Sequence, residues 1–190
     1  MKQKIISRIV AIWIMACMLL AGTTTVYAAY ITIGVDLVRQ AKTQWCWAAC
    51  LKMSSHYLGY TTYDQWDIVQ NVKGTSSNPY PNEPGDASDY KEGMEFATNS
   101  DYTATRSSGT ISISSMKSYM NNHVPLIIAL GTYSNGSRKS GHAVVVYSVD
   151  SDNNRFKVRN PASDYETTYN YSTITDSSRT QYWDATIKIS

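Results

Sequence analysis

Cysteine, histidine and net charge are all scarce in this chain. Its 190 residues include three cysteines and three histidines, with seventeen basic residues against fifteen acidic ones. Beyond position 29 only Cys46 and Cys50 remain, too few for a disulfide framework. Two thiols four residues apart on a helix share a face but do not readily reach disulfide geometry. With no CxxC and no nearby histidine pair they also make a poor zinc site. The one long apolar run, 9–22, is too short and too soon followed by polar residues to span a bilayer. There is no internal repeat and no long linker.

The N-terminus is the most distinctive stretch. Lys2, Lys4 and Arg8 precede the apolar run, and Ala28 and Ala29 supply small residues after it. This order reads as a secretory signal peptide over 1–29, leaving a domain at 30–190 and taking Cys17 with it. Three of the seventeen basic residues lie in that segment. Fourteen remain against fifteen acidic ones, so the apparent basicity belongs to the leader and nothing argues for a nucleic-acid partner. Residues 30–190 have the length of one domain with one substantial core. The expected location is therefore outside the cytoplasm, secreted or in the cell envelope. A free thiol in an exported chain calls for a reason.

The pattern predicts helices first and strands later. Residues 43–59 have apolar positions at helical spacing, with Thr43 as cap and Gly59 as stop. A second helix is expected at 63–72, ended by Gly74. The segment 74–90 holds three of the five prolines and reads as irregular loop. Short helices are expected near 90–98 and before His123, the latter capped by a serine at 112–114. The β-branched runs "VPLIIAL", "GHAVVVYSVD", "NRFKVRNP" and "DATIKIS" predict strands. The fold class is thus α+β, an N-terminal helical half against a C-terminal antiparallel sheet.

Cys46 falls in the first turn of the first helix. Unpaired N–H groups and the helix dipole there favour a thiolate, the reactive form, so the thiol is expected to ionise below its ordinary range. Cys50, one turn deeper, reads as a packed small side chain. A nucleophilic thiol needs a base. His56 is too far along the same helix, and His123 sits at a helix-to-strand junction as a capping or surface residue. His142 opens a strand beside the expected cleft. Asn160, at the end of the next strand, can accept the imidazole's second N–H, with Asp164 as the rival acceptor. For an oxyanion, the donors on offer are the Cys46 N–H and an upstream amide, Gln40 or Gln44.

Gln40, five residues, then Cys46-Trp47-Ala48; next "GHAVVV" at 141–146; next Asn160-Pro161: this ordered set resembles the papain-like cysteine peptidases. "WCWAAC" and Asn160-Pro161 are similar to compact bacterial members, the avirulence-effector and bacteriocin-leader-processing peptidases. The resemblance implies a thiol peptidase acting on peptides or proteins, with no metal or organic cofactor. It implies Cys46 as nucleophile, His142 as base and then acid, Asn160 as the orienting residue and Gln40 as oxyanion donor. Two departures stand out. The plant-type "NSW" is absent, and bacterial relatives often carry aspartate where this chain has Asn160. A cell-wall amidase or endopeptidase would use the same residues. A non-catalytic binding protein on the same fold is the third reading, with the fifteen tyrosines as its surface.

Overall fold

The computed structural model describes residues 30–74 and 80–190. The leader read at 1–29 lies outside the described residues. Helix α1 (Cys46–Tyr57) is the centre of the molecule. Eight of its twelve residues are buried, among them Trp47, Cys50, Leu51 and Met53. It packs against strand β4 (Ser137–Asp150) and against helices α2 (Gln65–Lys73) and α3 (Ala87–Ala97). A helix apolar on most of its surface must be enclosed, and here three elements enclose it. Thr43 does not cap it. The N-cap is Trp45, without a side-chain hydrogen bond, because Thr43 is drawn away to Asn82.

Helices α2 and α3 start with capping boxes, Asp64 with Asp67 and Asp86 with Asp89. Gly74 ends α2 in the left-handed conformation, where glycine lacks the Cβ penalty. Helix α3 begins three residues before the sequence expectation, because Asp86 has Asp89 three residues on to complete a capping box. Helix α4 (Ile113–Asn121) starts at Ser112 as expected and packs on β4 and on β1 (Tyr30–Thr32).

The sheet has seven antiparallel strands in the order β2 (Ala104–Ser108), β7 (Gln181–Ile189), β3 (Leu126–Ser134), β4, β5 (Arg155–Arg159), β6 (Thr167–Asn170), with β1 paired to β4. The α+β class expected from the pattern is the one observed. Two strands come from the N-terminal half, however. β1 has three residues and β2 reads "ATRSS", too short or too polar to show alternation. Burial runs unbroken from Leu126 to Leu130 and from Ala143 to Val149, so both faces of the central strands are covered. Phe156 and Trp183 meet edge to face, and Tyr171 of the short helix α5 (Tyr171–Ile174) closes on Trp183 in the same way.

Candidate active site

β4 is five residues longer at its start than "HAVVVY" suggests. His142 therefore lies inside the strand, opposite Leu130 of β3. The β4–β5 register pairs Val145 with Arg159. Extended by one residue, it sets Asn160 opposite Val144. His142 is two residues from Val144 on the same face, the diagonal neighbour of Asn160 and within reach of its side chain. The contact is made: His142 Nε2 and Asn160 Oδ1 are 2.7 Å apart.

Asn160 is held for this contact. Its Oδ1 also accepts from the Ala162 N–H at 2.9 Å, and its carbonyl accepts from Ser163. Because the Ala162 bond requires the oxygen on that side, the atom facing His142 is an acceptor. Nε2 must then carry the proton, which leaves Nδ1 as the basic nitrogen. Asp164, the rival acceptor, lies out at the surface with Arg39 at 3.4 Å. His56 contacts the Tyr63 carbonyl, and His123 contacts the Tyr57 hydroxyl.

Cys46 and His142 line one cleft of about 330 Å³, together with Gln44, Trp47, Pro84, Gly85, Tyr90, Arg106, Ala129, Ala143 and the stretch 138–141. The N–H groups of Trp47, Ala143 and Cys46 itself face the sulfur and favour its anion, as does the charge of Arg138. Burial outweighs all of them and pushes the thiol above its ordinary range. The helix N-terminus contributes as expected, but the expected net lowering is not what the structure gives. The cause is desolvation, which depends on packing. Cys50 is fully buried, and burial and the neighbouring Cys46 raise its thiol well above the ordinary value. Both cysteines are free.

Gln40 stands at the base of the turn leading into α1. Its Nε2 donates to the carbonyls of Lys42 and Thr43, both at 2.9 Å, and Oε1 is buried without a partner among the described residues. Two carbonyls against one nitrogen fix the amide's orientation. Its backbone N–H donates to Pro161, tying this turn to the Asn160 loop. Gln65, 5% exposed, clasps the same turn from α2 through the Ala41 N–H and the Arg39 carbonyl. Of the two upstream glutamines, Gln44 reaches the cleft lining and Gln40 does not.

The loop before α3 supplies a wall of the cleft that the sequence did not reveal. It is bound to the turn that carries Cys46 by donors from that turn. Trp45 Nε1 donates to the Pro81 carbonyl, Trp47 Nε1 to Glu83, Lys42 Nζ to Tyr80 and the Gln44 N–H to Asn82. Lys42 also lies over the rings of Trp45 and Trp66, at 5.2 and 5.5 Å. Gly85 presses on the Trp47 ring so closely that a Cβ would lie 2.5 Å from its Cγ. The tryptophans beside Cys46 thus hold the wall of the cleft. Three of the acceptors are backbone carbonyls, which every residue carries, and the fourth is the Asn82 Oδ1, so no side-chain motif announced the set.

Comparison with known proteins gives a family and a fold. The model of the Peptidase_C39-like family matches residues 32–190. The crystal structure of xylellain, a cysteine protease from Xylella fastidiosa, is similar in fold, with a TM-score of 0.52 at 13% identity. The alignment covers 85% of this chain and 86% of that one. A search of curated protein sequences gives no match. The chain belongs to the Peptidase_C39-like family and is a cysteine peptidase, with a fold similar to that of xylellain.

Proposed function

We propose that the protein hydrolyses peptide bonds through Cys46, His142 and Asn160. The observation that carries this is the 2.7 Å contact between His142 Nε2 and Asn160 Oδ1 in a ring that shares its cleft with Cys46. Asn160 holds the tautomer whose Nδ1 is free to take a proton. The raised thiol fits attack with simultaneous proton loss. Sγ bonds to the carbonyl carbon as His142 takes the thiol proton. The tetrahedral oxygen meets the Cys46 N–H at the start of α1. As the C–N bond breaks, the imidazolium gives that proton to the leaving amine. Water then attacks the thioester, losing a proton to His142, and the acid leaves as the thiol is restored.

Gln40 serves this site, in our reading, by fixing the turn that presents Cys46. Its amide is spent on the two turn carbonyls and lies outside the cleft lining, which leaves the Cys46 N–H as the oxyanion donor of this reading. The basic, apolar and small-residue order of 1–29 supports export of the chain, and N-terminal sequencing of protein from the culture medium tests it. The catalytic reading is tested with a mixture of fluorogenic peptides. Cys46→Ala and His142→Ala must each abolish cleavage with the fold intact by circular dichroism. Full activity in Cys46→Ala sinks the proposal.

A further inference from the structure

The cleft is chemically one-sided. The charged side chains in its lining are Arg106 from β2 and Arg138 and Lys139 from β4, and among the described residues no carboxylate lines it. Neither 1–29 nor 75–79 contains an aspartate or glutamate. Arg138 is neutralised on its outer side by Asp184, whose Oδ2 lies 2.5 Å from Nε. The approach needs Gly131, because a Cβ there would sit 2.1 Å from the Asp184 oxygen. The terminal nitrogens of Arg138 lie against Gly141, one residue before His142, and its charge is felt at Cys46. Arg106 and Lys139 have no ion pair among the described residues, so two full positive charges are left to the cleft.

Tyr90 adds a neutral donor. It is 3% exposed, lines the same cleft, and its hydroxyl has no hydrogen-bond partner among the described residues. Burial keeps the phenol protonated and able to donate. Glu83 and Asp86, the acids closest in sequence to the Pro84–Gly85 wall, lie outside the lining, and Asp86 is occupied in capping α3. A buried donor and two uncompensated cations beside a nucleophile lack only an acceptor carrying negative charge.

We infer that the cleft selects peptides bearing a carboxylate close to the scissile bond, received by Arg106, Lys139 and the Tyr90 hydroxyl. This rests on the peptidase reading for the word "scissile" but not for the binding preference, and the two are tested apart. The carboxylate comes either from an aspartate or glutamate side chain or from a free C-terminus.

The test is binding of labelled peptides to the full-length Cys46→Ala protein by fluorescence anisotropy. Matched peptides carry Glu, Gln or Lys at one central position, each with a free or an amidated C-terminus. The Glu peptide is expected to bind about 5- to 10-fold more tightly than the Gln peptide and more tightly still than the Lys peptide, a margin that shrinks as salt rises toward about 0.5 M. If only the free-terminus peptides gain, the C-terminal carboxylate is the group received. Arg106→Gln with Lys139→Gln should bring the acidic peptide to the level of the neutral one. Lys139→Glu alone, a surface change that does not threaten folding, should reverse the order of Glu and Lys peptides. Equal binding of all peptides, or a preference that survives both variants, overturns the inference. Cleavage by the unmutated protein reads separately: equal hydrolysis of all peptides sinks the charge selection and leaves the peptidase standing, whereas charge-selective binding without cleavage does the reverse.

Discussion

Replacing Asn160 with alanine removes one atom's work in two places. Oδ1 is the acceptor for His142 Nε2 and for the Ala162 N–H. Without it the half-buried ring loses its partner, and nothing then holds the proton on Nε2. Part of the population carries it on Nδ1 and cannot act as base. Leaving such a donor unmatched costs about 1–3 kcal/mol. At about 1.4 kcal/mol per factor of ten, kcat should fall roughly 5- to 150-fold while KM changes little. The loss of the Ala162 bond adds about 1 kcal/mol of destabilisation, visible as a lower Tm. Asn160→Asp keeps an acceptor for both donors and adds a charge that favours the imidazolium. It should retain most of the activity and move the acidic limb of the pH–rate profile upward. The assay is kcat and KM on one fluorogenic peptide across pH, with melting curves for each variant. An alanine variant within about twofold of the parent in kcat, with an unchanged profile, would refute the assignment of Asn160.

Three further outcomes follow from the packing and the titrating groups. Gly85→Ala drives a Cβ into the buried Trp47 ring and should cost about 1–3 kcal/mol, read as a fall in Tm with reduced activity as the cleft wall shifts. Alkylation of Cys46 by iodoacetamide, followed by peptide mass, should rise with pH through a midpoint above the ordinary thiol value of about 8.5, since burial dominates; a midpoint below it would show that the three N–H groups and Arg138 win instead. Cys50 is held protonated in the folded chain while an unfolded thiol ionises near pH 8.5. The folded state therefore binds more protons at alkaline pH, and urea stability should decline as pH rises past that value, less steeply in Cys50→Ala.

Much of the architecture was legible because it is local. Ser112 and Gly74 are end signals that act within one turn, and both sit where a helix stops or starts. The runs around Ile127 and Val145 are short, apolar on consecutive residues and rich in β-branched side chains, the pattern of enclosed strands. Thr43 misled because its hydroxyl has a distant competitor, Asn82. His142 was placed at a strand edge because the polar residues 137–140 carry no β signal, and only pairing with β3 draws them into β4. β2 escaped for a related reason, since its place is set by pairing with β7 eighty residues away.

What the sequence alone determined is the kind of chemistry. A thiol among tryptophans at the head of a helix, a histidine in a β-branched strand and an asparagine after the next strand are residue types in an order. Residue types and order survive without coordinates. The tertiary structure decided what those residues experience. It chose Asn160 over Asp164 through the register of β4 and β5, a long-range pairing invisible to local pattern. It turned the Gln40 amide onto the entrance turn and folded the 80–85 loop against two indoles. It also set desolvation against the helix N-terminus at Cys46 and let desolvation win, because burial depends on every chain segment that covers the sulfur.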